Sequence, residues 1–322
     1  MKFDYSAGFI VYKMVKEKAM FLFLIKQDGT YDVPKGIIEK GESAEDAATR
    51  ETREEANVSV EKIPFFKRKG RFSFYKRKER HLKELTLFLG RFKRGPVKIS
   101  YEHKGYKWMA YGEAMEKIGY KDLKEALDSA NDYIGKKAEI DKINEDYSGL
   151  PKRAKKWNLS RTFVQGIGPV NSRTVFLGQA PGAEEDAQKI PFVGRSGKLL
   201  DSLLRRSGIR RDCIYITSVV QFFPPRNRIP SRKEIVLCMP FLLRQLKAIN
   251  PKYIVFLGNV SASAFFNGHK AVAHHGKVIT KDGVTYMFTL HPAAVLRFKK
   301  FEVIMLSDLK KFSNIMRNSA DL

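Results

Sequence analysis

Three glutamates, Glu51, Glu54 and Glu55, stand three and four positions apart in the run "EKGESAEDAATRETREEANV". The run is rich in strong helix formers, and Ser43 followed by acidic residues supplies a helix start. Positions three and four apart share a helix face, so the three carboxylates project together, with Arg50 beside them. Like charges gathered in this way repel unless a cation sits between them. Hard oxygen donors suit Mg2+ or Mn2+, and Mg2+ is commonly shared with substrate phosphates. Taken alone, the run fits a solvated acidic face as well. It stands out because the chain carries a formal net charge of +25.

The wider spacing narrows the choice. Gly36, five residues, Glu42, seven residues, Arg50-Glu51 and then Glu54-Glu55 resembles the Nudix box, G-x5-E-x7-R-E-U-x-E-E-x-G-U. Thr52 stands at an aliphatic position of that pattern and Asn57 at its last glycine; Asn is the residue that best tolerates positive φ after Gly. The resemblance implies an α/β fold, an α/β/α sandwich with a mixed sheet over residues 1–135. It also implies metal-dependent cleavage of a pyrophosphate bond in a nucleoside polyphosphate. Glu51, Glu54 and Glu55 would bind Mg2+ or Mn2+, one of them or an outer carboxylate would activate water, and Arg50 would orient Glu51. "DVPKGIIEKGE" and "SYEHKGYKWMAYGEAMEKIGYKDLKEAL" resemble the diadenosine tetraphosphate hydrolase branch. That implies a phosphate contact at Lys35, an outer carboxylate at Glu102, and nucleotide stacking at Tyr106, whose alternative is core packing. Some members stack adenine on a Tyr in the strand "ELTLFLG"; here the aligned residue is Leu87. The pyrophosphatase chemistry carries over, and Leu87 weakens the implied dinucleotide preference. The basic run at 67–81 reads as a solvated hairpin, with phosphate or RNA-end holding as its alternative.

The 322 residues are enough for two domains. Residues 136–159 are charge-rich, punctuated by Gly149 and Pro151, and read as a linker. From 160 to 322 the pattern changes. Short apolar runs, "TVFLGQAPG", "CIYITSVVQFFPP", "KYIVFLG" and "VTYMFTLHP", alternate with amphipathic stretches. Such alternation predicts a mainly parallel sheet in a three-layer α/β/α fold, with ligands at the carboxyl ends of the strands. Most of the positive excess lies in this half. It points to a polyanion, most simply nucleic acid, with a solubility surface as the alternative. Two cysteines give no disulfide framework. There is no long uncharged apolar window, so no membrane span is expected. The start reads as a strand rather than a secretion signal, and a cytoplasmic protein fits.

"FLGQAPGAEEDAQKIPFVGRSGKLLDSLL", "YITSVVQFFPPRNRIP", "PKYIVFLGNVSASAFF" and "TLHPAAVLRF" follow in that order. Together they resemble the uracil-DNA glycosylase superfamily, closest to its iron–sulfur (family 4) class. The resemblance implies that Phe192 stacks on a flipped base, within a pocket that includes Gln179, Ala180, Gly182 and the carboxylate of Glu185. His291 would stabilise negative charge on the departing base. Pro292 would press on DNA, and Arg195, Lys198, Arg226, Arg228 and Arg297 would contact phosphates. His274 and His275 read as ordinary polar residues. Three departures bear on this. Gln179 replaces a Glu and cannot act as a base. Ser218 replaces the Asn that reads the uracil edge, so base selectivity should weaken or change. The cluster cysteines are missing apart from Cys238, with Phe222 in the place of another, so no iron–sulfur cluster is expected. Phe222, Phe223 and Trp157 are candidates to fill that space.

The expected protein is therefore bifunctional. Its first half would hydrolyse a nucleoside polyphosphate with Mg2+ or Mn2+. Its second would excise uracil or another deaminated base from DNA. In one alternative the second half only binds DNA, RNA or a nucleotide; in another the first half acts on RNA 5′ ends.

Overall fold

The computed structural model describes residues 2–76, 79–154, 158–266 and 271–318. The chain divides into two compact units, Met1–Gly135 and Lys136–Leu322. Among the described residues no helix is long and apolar enough to cross a membrane.

The first unit is built on a seven-stranded mixed sheet. Its strands are β1 (Lys2–Val15), β2 (Lys18–Lys26), β3 (Tyr31–Asp32), β4 (Lys35–Ile37), β5 (Ser59–Lys76), β6 (Glu79–Arg94) and β7 (His103–Ala110). The central order is β3-β2-β1-β6-β5, with β4 on β1 and β7 on β2. Only the β1–β6 pair is parallel. Alternation sends Ala7, Phe9, Val11, Leu22, Leu24 and Phe88 to one face, where they meet Ala47, Ala48 and Ala56 of helix α1 (Ala44–Ala56). Leu85 and Leu87 face the other way, towards Leu123 and Ala126 of helix α3 (Lys121–Ser148), which follows the short α2 (Tyr111–Lys117). Ser43 caps α1 by accepting the Asp46 N–H, and Asn57 closes it in the left-handed conformation at φ 54°. The basic run at 67–81 falls on the β5–β6 pair; its side chains from 71 onward lie outside those described.

Residues 136–159 differ from the expected linker. The division between units falls inside α3, and Ile140, Ile143 and Tyr147 of that helix are buried at spacings of three and four. Those three apolar positions make a helix face, which the surrounding Lys, Glu and Asp residues mask in a composition-based reading. The chain then forms α4 (Leu150–Arg153).

The second unit has a five-stranded sheet, β8 (Thr174–Gly178), β9 (Tyr215–Ser218), β10 (Tyr253–Leu257), β11 (Val278–Lys281) and β12 (Val284–Thr289), in the order β11-β12-β10-β8-β9. All pairs are parallel except the edge pair β11–β12. Intervening helices are α5 (Ala183–Gln188), α6 (Arg195–Arg206), α7 (Arg232–Ile249), α8 (Asn259–Phe265), α9 (Ala271–His274), α10 (Pro292–Arg297) and α11 (Phe301–Asn318). Phe176, Ile216, Val255 and Met287 pack with α6 and α11 on one face. On the other, Phe256 meets Phe265 and Phe266 at the end of α8. This is the three-layer parallel arrangement that the alternating pattern predicts.

The left-handed backbone at Asn57 gives a direct test. Asn57→Gly is expected to leave the thermal unfolding of the first unit nearly unchanged. Asn57→Val is expected to destabilise it by about 1–2 kcal/mol, because a β-branched residue is strained at that φ.

Candidate active sites

In the first unit, Arg50 organises the start of α1. Its Nε donates to Glu42 at 3.0 Å and its Nη2 to Glu42 at 3.0 Å and to the Ile37 carbonyl at 2.9 Å. Its Nη1 donates to Glu51 at 2.7 Å and to Glu54 at 3.1 Å. The bond from Arg50 holds the Glu42 carboxyl below its ordinary range. The Glu51 carboxylate lies directly over Gly36, where an added Cβ would come within 2.1 Å of it. Only glycine permits that approach.

Glu55 accepts the Lys35 N–H at 2.9 Å. Burial pushes its carboxyl up to about 7, aided by the nearby charges of Glu51 and Glu102 and opposed by Lys35. The His103 ring lies 4.0 Å from Glu55, and burial keeps it below the ordinary imidazole range. Beside them Asp32 is buried between the Nζ atoms of Lys26 and Lys35, each 2.5 Å away. Burial opposes its charge, but the two lysines outweigh it and hold the carboxyl low. Lys83 faces the same group and is depressed mainly by burial. Asp32, Lys26, Lys83 and His103 went unassigned in the sequence. The signal that could have found Asp32 is its i, i+3 spacing to Lys35 in "DVPK". Lys83 is brought in only by strand pairing. Glu102 and Tyr106 are exposed, with Tyr106 opposite Leu24 on the α1 face. Leu87 instead lines a cavity of about 160 Å3 on the α3 side, so it offers no stacking surface to the carboxylates.

The hard oxygen donors of Glu51, Glu54 and Glu55 suit a divalent ion, and Glu51 lies close enough to Glu55 for its charge to add to the burial that raises the Glu55 carboxyl. In this conformation Glu51 and Glu54 are turned to Arg50. Among the described residues no three His, Cys, Asp or Glu side chains converge into a formed metal centre.

In the second unit, the carboxyl ends of β8, β9, β10 and β12 bring the quoted motifs together. Phe192 adopts φ 56°, which turns its ring onto the Cα of Gly178; a Cβ there would come within 2.6 Å of the ring and 3.3 Å of the Ser218 Oγ. The His291 ring is 6.2 Å from that of Phe192. Ser218 is buried, and among the described residues its hydroxyl has no hydrogen-bond partner. His291 Nδ1 accepts the Ala293 N–H at 3.1 Å, which places the ring proton on Nε2. Although partly accessible at its edge, His291 is surrounded by protein, and this burial pulls its imidazole down to about 4. Glu185 spends both oxygens on backbone. Oε2 accepts the Gly182 N–H at 3.0 Å and Oε1 the Gly194 N–H at 2.9 Å, which ties the loop after β8 to the loop carrying Phe192. The next residue, Asp186, has one carboxylate oxygen buried without a hydrogen bond. The Gln179 carbonyl accepts the Val220 N–H.

Residues 165–313 match the model of the uracil DNA glycosylase superfamily, and residues 4–129 that of the NUDIX domain. A type-4 uracil-DNA glycosylase of Thermotoga maritima is 41% identical over 166 residues, 50% of this chain and 86% of that protein. The chain joins a Nudix domain to a uracil-DNA glycosylase domain. An asymmetrical bis(5′-nucleosyl)-tetraphosphatase of Caenorhabditis elegans is 29% identical over 121 residues, 37% of this chain and 87% of that protein. A crystal structure of a C. elegans Ap4A hydrolase aligns with a TM-score of 0.35 at 25% identity, over 38% of this chain and 92% of that one.

Within the glycosylase domain, the expected DNA contacts separate into two groups. Arg195, Lys198, Arg226 and Arg297 are exposed. Arg228 is instead committed to Glu234, at 2.6 and 2.8 Å, and to the Asn158 carbonyl, so it braces the start of α7. Pro292 is buried at the first position of α10, where it starts the helix and has no surface to press on DNA. Ala180 and Gly182 lie in the loop fixed by Glu185. The residues present do not fit an iron–sulfur cluster. Cys213 and Cys238 are the chain's two cysteines. Cys238 is buried beside Tyr147, whose ring packs among Phe163, Phe222 and Phe241. Phe223 is only partly buried, and Trp157 lies outside the described residues.

Glu185→Ala would leave two loop N–H groups without acceptors. It is expected to cost about 2–4 kcal/mol in chemical unfolding of this domain, with Glu185→Gln, which keeps one acceptor, costing roughly half as much.

Proposed function

We propose that the chain is bifunctional: its Nudix domain hydrolyses a pyrophosphate bond of a nucleoside polyphosphate, and its glycosylase domain excises uracil or another deaminated base from DNA. A cytoplasmic setting belongs to this reading. The observation that carries it is the grouping of Phe192, Ser218 and His291 at the Gly178 strand end.

A flipped base stacks on Phe192, and the Ser218 hydroxyl meets its edge. His291 is neutral above about pH 4 and presents Nε2–H. It donates that proton in a hydrogen bond to the base oxygen on which negative charge grows as the glycosidic bond breaks. The exposed Arg195, Lys198, Arg226 and Arg297 contact backbone phosphates. A rotating hydroxyl can donate or accept, whereas an Asn carboxamide offers both groups in a fixed order. The pocket therefore discriminates less strictly among base edges than a pocket with Asn.

In the Nudix domain, Glu51, Glu54 and Glu55 would hold Mg2+ or Mn2+, which would supply charge neutralisation and an activated water. Arg50 orients Glu51, Lys35 binds a substrate phosphate, and Tyr106 stacks on the nucleotide. One of the three glutamates, of which Glu55 is the one beside the Lys35 N–H, or Glu102 as an outer carboxylate, takes the proton from water.

A second reading, in which the glycosylase domain binds DNA, RNA or a nucleotide without excision, is favoured by two features. Glu185 gives both oxygens to backbone N–H groups, and Gln179 cannot act as a base.

Oligonucleotides bearing uracil or hypoxanthine, assayed for alkali-labile sites, separate the two. Excision is expected, and His291→Ala should lower it about 100- to 1,000-fold. Absence of cleavage with DNA binding intact would favour the second reading. The excision rate should show no inflection between about pH 6 and 7 and should fall as pH drops towards 4, because protonation of His291 Nδ1 removes the acceptor for Ala293. Glu55→Gln should reduce nucleotide hydrolysis about 100- to 10,000-fold and leave excision unchanged.

A further inference from the structure

A buried polar and aromatic assembly occupies the region of Cys238. Tyr147 of α3 stacks on Phe241 of α7 with ring centroids 4.5 Å apart and planes 3° from parallel. It meets Phe163 at 5.2 Å and Phe222 at 5.3 Å edge-on, and those two lie 5.6 Å apart. Its hydroxyl accepts the Gln221 N–H at 3.4 Å, beside the buried Cys238. Around it runs a chain of buried amides. Asn144 Oδ1 accepts from Gln245 Nε2 at 2.7 Å, and Gln245 Oε1 accepts from Gln221 Nε2 at 2.6 Å. Gln221 Nε2 also donates to Thr217 Oγ1 at 2.9 Å. An assembly with these groups satisfied is rigid, and it leaves no room for a cluster at Cys238.

The position of the assembly is as informative as its composition. Gln221 and Thr217 bracket Ser218, Val219 and Val220. On the opposite side, Val219 and Val220 donate to the carbonyls of Gly178 and Gln179, the strand end that carries the base pocket. The segment 160–164 adds a short bridge, with Ser160 donating to Phe223, Val164 donating to Gln221, and Phe163 pairing with Phe222. The segment that follows Ser218 at the end of β9 is therefore clamped between the pocket and the Tyr147 assembly.

We infer that the last turns of α3, through Tyr147 and Asn144, anchor the Ser218 end of β9 in the region where the resemblance would place cluster cysteines. The chain segment between the two sets of motifs is thus a working part of the glycosylase domain, and Tyr147 and Asn144 are positioning residues for the base-reading strand end. The inference rests on the glycosylase reading for its functional meaning, and the test is chosen to be read without excision.

The experiment uses the full chain. The purified protein is expected to hold far less than one iron per molecule, to lack absorbance near 400 nm, and to melt identically with and without a chelator. In Tyr147→Ala, hydrogen exchange at the amides of Val219, Val220 and Gln221 should rise at least about tenfold while the amides of β10 keep their protection. Tyr147→Phe, which keeps the ring stack, should restore most of that protection. Asn144→Ala provides a milder second variant with the same local pattern, should Tyr147→Ala fail to fold. Stoichiometric iron, or exchange at 219–221 unchanged in both Tyr147→Ala and Asn144→Ala, would overturn the inference. If excision is absent from the wild-type chain while these exchange changes are found, the anchor stands and the excision reading alone fails.

Discussion

Backbone N–H groups in tight loops must find acceptors, and in both domains a glutamate carboxylate is that acceptor. Glu55 takes the Lys35 N–H and so sets the start of β4 against α1. Glu185 takes the N–H groups of Gly182 and Gly194 and so sets the Phe192 loop against the end of β8. A charge-assisted bond to backbone is stronger than a neutral one and fixes direction as well as distance. Each site inherits its geometry from that bond. Phe192 can lie on the Gly178 Cα because its loop is tied down, and Glu51 can lie on the Gly36 Cα because β4, which carries Gly36, is held by the Glu55 bond to Lys35 and by the Arg50 bond to the Ile37 carbonyl.

Burial then sets the protonation states in opposite senses. The Glu55 carboxyl is raised to about 7 because burial and two neighbouring carboxylates disfavour its charge. The His291 imidazole falls to about 4 because burial disfavours its charge too, and a neutral ring can donate from Nε2 without attracting a counterion. One physical cause, loss of solvent around an ionisable group, yields a carboxyl able to exchange protons at neutral pH and a histidine unable to.

The positive charge of the glycosylase domain is likewise sorted by packing. Arg228 is spent on Glu234 inside the domain, and Arg244 pairs with Asp146 at 2.7 Å. Arg195, Lys198, Arg226 and Arg297 remain exposed. Net charge therefore overstates the number of cations able to meet a polyanion, and the useful count is of those without an internal carboxylate.

Much of the molecule was legible without coordinates. The period-two strands, the Ser43 start and Asn57 end of α1, the strand–helix alternation of the second half and the ordered motifs all depend on local spacing, which a sequence states outright. Asn57 at positive φ follows from its own chemistry. Other features arise only from distant segments meeting. Lys83 joins Asp32 because β6 pairs with β1. Arg228 and Arg195 look alike in the chain and differ because only Arg228 meets Glu234. The stretch around Tyr147 reads as a charged linker by composition, and it becomes core because Phe163, Phe222 and Phe241, from three separate parts of the chain, close around it. By itself the sequence determined which family each half matches, because that depends on residue types at fixed local spacing. The tertiary structure alone decided which charges remain free and what anchors the Ser218 end of β9, because both depend on contacts between residues far apart in the chain.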